Sequence, residues 1–225
     1  MVDLSLFKIP TMSPTLLATL FQGLANFAVL FLVIMYLQGV RGLTPLHASL
    51  LLVPGYLIGG FVGPYGGRLA DRFGPIWPST LGLGLEIVAL FIYSMMGTTT
   101  SLWIVVIASI VNGIGGGAFF PANNAAAMKV APKSAFGTTS GVLRTFANIG
   151  MVFSFAVAVL VAARSIPKGL AFAIFVGTKE LNHHLASGFT QGLHAAFYSS
   201  IAFMAIAAVL SASRVLKRGK THQHL

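Results

Sequence analysis

Apolar residues fall in long unbroken runs along this chain, and the polar residues gather between them. About 20 mostly apolar residues, rising ~1.5 Å each as helix, cross a hydrocarbon core of ~30 Å. Six segments are long enough: 14–38, 46–69, 76–97, 102–128, 137–163 and 193–213. Backbone in lipid must satisfy its own hydrogen bonds, so each run is expected to be a helix, and none shows the alternation of a barrel strand. The pattern predicts an all-α polytopic membrane protein, a six-transmembrane-helix bundle over residues 14–213. Residues 1–13 form a lead-in and 214–225 a basic tail. The one long connection, 164–192, contains GLAFAIFVG, which is too short to span. It is expected at the outer surface or folded back on the bundle.

Composition strengthens this picture. Hydrophobic residues make up 56% of the 225 and charged residues 8%, against about 45–50% and about 25% in soluble domains. So few charges cannot clothe a soluble surface, which makes membrane lipid the expected surrounding. The net charge of +10 suggests nucleic acid, but apart from Arg214, Lys217, Arg218 and Lys220 the basic residues stand in ones and twos, and no nucleic-acid partner is expected. Lys8, Arg68, Arg72, Lys129, Lys133 and those four tail residues fall on one side of the predicted topology, and they outnumber Arg41, Arg164, Lys168 and Lys179 opposite. By the positive-inside rule both termini are cytoplasmic in a multi-pass cell-membrane protein. The first run is too long for a signal-peptide core and follows Asp3, Lys8 and Pro10, so it is expected to remain as a helix.

Small residues repeat at four-residue spacing: Gly59, Gly63 and Gly67; Gly113 and Gly117; Gly137 and Gly141. Such repeats let helix backbones approach closely in lipid. Charge is concentrated in GGRLADRFG (66–74), expected as a cytoplasmic turn between the second and third helices. There Gly67 and Gly74 would permit a tight turn, and Asp71 could cap a neighbouring helix N-terminus. Arg68 and Arg72 could pair with Asp71 or with lipid phosphates.

Gly67, Leu69, Ala70, Asp71, Arg72 and Gly74 resemble the cytoplasmic signature of the major facilitator superfamily, G-x-L-A-D-R-x-G followed by basic residues. Pro75, Ile76 and Trp77 stand where the basic residues would follow, a degeneration more usual of the copy in the second half of such transporters. DLSLFKIP, which looks like the end of a linker between halves, YLQGVRGLTPLHASLLLVPG, NGIGGGAFFPANNAAA and GLHAAFYSSIAF also look like a second half. Together they are most similar to the fourteen-helix drug:proton antiporter branch. The resemblance implies one half of a major facilitator fold, working by alternating access against a second six-helix half. It also implies a conformational latch of Gly67, Arg68, Asp71, Arg72 and Gly74, in which Asp71 engages the start of the fifth helix near Gly137 to Ser140.

Several polar residues fall within the runs. Glu86 lies ~15 Å into the third helix, near mid-membrane. An ionised carboxylate there is costly, about 2.5–3.5 kcal/mol on insertion scales, which makes Glu86 the proton-coupling candidate. Against this, the resemblance implies a peripheral third helix. Arg144 lies ~10 Å into the fifth helix with Asn148 one turn on, and both should face the bundle or its cavity. Gln22 and Asn26 share a face of the first helix, and Asn112 and Asn123 a stripe of the fourth. The resemblance makes both helices cavity-lining, so these residues, with Arg144 and Asn148, are the substrate candidates. Interhelical hydrogen bonding is the competing role.

His183 and His184 are adjacent and His194, His222 and His224 add no constellation, so no metal site is expected. There is no phosphate loop of the G-x-x-x-x-G-K-[ST] type, nor a nucleophile with a base or a pair of carboxylates. The expectation is a transporter without catalytic residues or cofactor, driven by a proton gradient and exporting small amphipathic compounds or drugs. The alternative is a truncated, non-transporting membrane scaffold or assembly subunit. The chain would be a fragment, a half that pairs with another, or a truncated product.

Overall fold

A computed structural model describes residues 9–165 and 183–221. Seven α-helices account for most of them: α1 Met12–Met35, α2 Pro45–Leu50, α3 Val53–Phe73, α4 Ile76–Ser94, α5 Trp103–Val130, α6 Phe136–Ser165 and α7 His183–Thr221. No strand occurs among the described residues. Among the described residues six stretches are long and apolar enough to cross a membrane: Met12–Val40, Pro45–Phe73, Ile76–Ser94, Trp103–Val130, Lys133–Val157 and Phe189–Arg214. The protein is an all-α, multi-pass membrane bundle.

Local chemistry sets the helix ends. One π-helical turn, Tyr36–Val40, extends α1, and Gly42 (φ 64°) turns the chain out of it. At α2, Thr44 Oγ1 accepts the His47 N–H (3.4 Å) with Pro45 at the first helical position, a start that needs no N–H from proline. The second span is therefore α2 and α3 joined at a bend.

Two boundaries correct the sequence-based expectation. GGRLADRFG is not a turn: α3 continues through Arg68, Asp71 and Arg72 to Phe73. Arg, Leu and Ala are good helix formers, and only Gly74, at φ 88°, takes up a backbone that disfavours a side chain. Gly74 and Pro75 alone separate α3 from α4. The last helix begins at His183, ten residues before the expected 193, because polar HHLASG lowers hydropathy without preventing helix. The lead-in through Lys8 and the GLAFAIFVG segment lie outside the described residues.

α5 is wedged between α3 and α4, while α1 packs on α6 and α7, and α4 also packs on α7. Glycine permits these approaches, though not at all the expected positions. A Cβ on Gly59 would sit 2.9 Å from the Gly113 carbonyl oxygen, and one on Gly66 2.7 Å from that of Gly117. Gly55 meets Ser109 and Gly113 even more closely. Gly63, Gly137 and Gly141 have nothing within 4 Å, and Gly67 only Pro121 at 3.8 Å. A helix advances about 100° per residue, so a four-residue repeat drifts about 40° at each step. Gly66 therefore stays on the Gly59 face and Gly67 leaves it.

Candidate functional site

Polar residues on α1 recur at Thr15, Thr19, Gln22 and Asn26, spacings of four, three and four that keep them on one helix face. That face meets α4 and α5. Midway along it, Glu86 of α4 is fully buried. Gln22 Nε2 donates to both its carboxylate oxygens, at 3.0 and 3.3 Å, and Asn26 Nδ2 donates to Oε1 at 3.1 Å. Asn112 Nδ2 of α5 in turn donates to Asn26 Oδ1 at 3.3 Å. Gly115 and Gly116 make room for the carboxylate: a Cβ on Gly115 would lie 2.8 Å from Glu86 Cγ, and one on Gly116 3.3 Å from Oε1.

This cluster edges a cavity of about 470 Å³ between α1, α3 and α5. Its wall is mainly apolar, with Phe27, Tyr56, Tyr93 and Phe120 among the lining side chains and Gln22, Asn26 and Asn112 supplying polar atoms. Asn112 Oδ1 is buried there without a hydrogen-bond partner. A concave apolar surface with a few convergent polar groups suits an amphipathic guest.

Two turns away the same α1 stripe meets a second polar cluster. Arg214 of α7 is 1% exposed. Its Nε donates to Ser211 O (3.0 Å), Nη1 to Thr15 Oγ1 (3.2 Å) and Asn123 Oδ1 (3.0 Å), and Nη2 to Ser79 Oγ (3.3 Å) and Ser211 Oγ. Those five bonds use every donor of the guanidinium. Asn123 Nδ2 donates to Thr19 Oγ1 at 2.7 Å, which carries the polar contacts back along α1 toward Gln22.

Of the residues singled out in the sequence, Gln22, Asn26, Glu86 and Asn112 therefore converge. Glu86 lies in the interior even though its helix was expected at the periphery. Asn123 joins the Arg214 cluster and does not line the cavity. Arg144 and Asn148 lie exposed on α6 and do not join this buried cluster. Arg68, Asp71 and Arg72 are exposed at the end of α3. The Arg68 guanidinium stands over the Tyr65 ring (5.7 Å) and that of Arg72 over Phe73 (5.2 Å). Asp71 does not engage Gly137 to Ser140, because α3 packs on α5 while α6 packs mainly on α1. The sequence reading missed Arg214 by assigning it to the tail. The signal was present in the spacing of Thr15 and Thr19 with Gln22 and Asn26, a polar stripe that needs a buried partner. No group of three or more His, Cys, Asp or Glu capable of holding a metal occurs among the described residues.

A six-span helical bundle with a buried carboxylate beside an apolar cavity defines the class as a polytopic membrane protein with an internal polar site. The matching sequences define it further: residues 3–155 match the Major Facilitator Superfamily, and the chain belongs to that family. It is 25% identical over 189 residues to the lincomycin resistance protein LmrB of Listeria monocytogenes, covering 84% of this chain and 40% of that protein. It is also 25% identical to the multidrug efflux pump LfrA of Mycolicibacterium smegmatis, over 68% of this chain and 30% of the pump. Similarity extends to the riboflavin transporter RibZ of Clostridioides difficile, at 24% identity over 66% of this chain and 32% of the transporter. The chain thus spans about two fifths of the length of LmrB.

Proposed function

We propose that this chain is the C-terminal six-helix half of a secondary transporter that exports small amphipathic compounds, drugs among them, in exchange for protons. The second half, upstream in the same polypeptide or on another chain, supplies the opposite wall of the cavity, and alternating access rocks the two halves about it. Both termini face the cytoplasm. The observation that carries this reading is Glu86, buried at mid-span and held by Gln22 and Asn26, which with Gly116 line the cavity beside it. A carboxylate in that position binds a proton when dry and releases it when the cavity admits water. Export is supported by the relatives named for lincomycin resistance and multidrug efflux.

The latch of Gly67, Arg68, Asp71, Arg72 and Gly74 belongs to the same proposal, with one change. The exposed position of Asp71 at the end of α3 leaves it free to cap a helix of the second half.

The test is substrate-driven proton flux in proteoliposomes of the whole transporter. Glu86→Gln is expected to retain substrate binding and abolish coupled proton movement. Undiminished coupling in that variant removes Glu86 as the carrier. Absence of substrate movement by the unmodified assembly would favour a non-transporting scaffold.

A further inference from the structure

Among the described residues the bundle buries two charged side chains, Glu86 and Arg214, and they do not touch. They stand on one polar file. Ser79 and Glu86 are two turns apart on α4, as are Thr15 and Gln22 on α1, which separates the two clusters by ~10 Å along the bundle. Between them Thr19 accepts from Asn123 and donates to Thr15 O at 3.0 Å. The file runs from the ends of the helices, where α4 begins and α5 and α7 finish, to the cavity wall at Asn26 and Asn112. Hydroxyl and amide groups thus follow one face of α1 from one cluster to the other; such a polar face through an apolar bundle is where water and protons would pass, and an unguarded one would short-circuit coupling.

Arg214 occupies the end of that route farther from the cavity. Its position does not follow from cheap packing, since an uncompensated buried charge is more costly than an apolar side chain of similar size. No carboxylate among the described residues meets it. Its five acceptors are three hydroxyls, one amide oxygen and one carbonyl, so the guanidinium keeps its whole charge. Among the described residues the other charged groups of these helices stand away from the file: α1 carries none, and Lys129 of α5 and Arg68, Asp71 and Arg72 of α3 lie exposed at helix ends. A fixed positive charge beside such a polar path raises the barrier to a proton or hydronium ion.

We propose that Arg214 is the charge barrier of this half, closing the polar file against protons so that Glu86 exchanges them only through the cavity. It is a positioning residue that acts on the route to Glu86 and touches neither substrate nor the carboxylate. The proposal rests on Glu86 as the proton carrier. At an effective dielectric of 20, a unit charge ~10 Å from the carboxylate is worth about a tenfold difference in proton passage.

The experiment is passive proton leak, without substrate, in proteoliposomes of the whole transporter carrying a pH-sensitive dye. Arg214→Gln, which removes the charge and keeps a donor, is expected to leak about tenfold faster, whereas Arg214→Lys should remain as tight as the unmodified protein. Should Arg214→Gln fail to fold, Ser79→Asp neutralises the guanidinium in place and is expected to leak similarly. Equal tightness in the neutralised and charged proteins overturns the barrier. So does equal leak in Arg214→Lys and Arg214→Gln that tracks lost thermal stability, because that would make the residue a helix clamp. Combining Arg214→Gln with Glu86→Gln separates this proposal from the one beneath it. Leak abolished by the second change places Glu86 on the route, and leak that persists overturns the file while leaving coupling by Glu86 to its own test.

Discussion

A carboxylate buried among apolar helices persists through its partners, and Glu86 has two amides within 3.3 Å. Removing one leaves a buried acceptor unsatisfied, which costs about 1–3 kcal/mol. Gln22→Leu should therefore lower bundle stability by about that amount, and adding Glu86→Leu should return part of it, since two apolar groups replace a matched pair. Thermal unfolding of the two single variants and the double variant in detergent measures the coupling; strictly additive losses would show that the pair is not an energetic unit. Part of this site was legible without a structure. Gln22 with Asn26, and Asn112 on its own helix, announced themselves as polar groups at helical spacing, and Glu86 as a carboxylate at depth. Their convergence was not legible, because sequence fixes which face of a helix is polar and leaves open which neighbour it meets. Arg214 was misassigned for a related reason. Next to Lys217, Arg218 and Lys220 it looks like tail, and only the acceptors on α1, α4 and α5 reveal that it turns inward.

At the scale of the helices, backbone proximity decides more than side-chain bulk. Gly115 packs so closely on α4 that a Cβ would lie 2.7 Å from Gly82 O and 2.9 Å from Glu86 N. Gly115→Ala must push α4 from α5 and is expected to cost about 1–3 kcal/mol. Gly84, on the same α4, has nothing within 4 Å, so Gly84→Ala should be neutral or gain about 0.5–1 kcal/mol from helix propensity. Melting temperatures of the two variants test the contrast, and equal shifts would show that the seam is not tight. The six spans themselves were readable from hydropathy because lipid imposes both their length and their internal hydrogen bonding. Ends were harder: α3 and α7 extend into polar sequence where membrane hydropathy stops but helix formation does not. Glycine spacing pointed to close packing and misplaced the seam, since a repeat of four overshoots the helical period.

At the scale of the molecule, Asp71 stands exposed at the end of α3, where the proposed second half would meet it. A charge at an exposed helix N-terminus is worth about 0.3–1 kcal/mol, so Asp71→Asn in the whole transporter should slow turnover by about two- to fivefold while leaving insertion and melting temperature unchanged. Transport assays on equal amounts of inserted protein decide this, and an unaltered rate would remove the latch.

The wedge position of α5 also bears on the order in which the chain assembles. α3 and α4 are consecutive and joined by only Gly74 and Pro75, yet each packs far more extensively on α5 than on the other. During synthesis this hairpin emerges first and cannot close on itself without filling the slot that the next helix requires. Its glycine-lined flanks must stay apart until Trp103–Val130 has been made. The interval between α4 and α5 leaving the ribosome is therefore when the nascent bundle is most open to wrong partners, and a slow stretch of translation there would lengthen it.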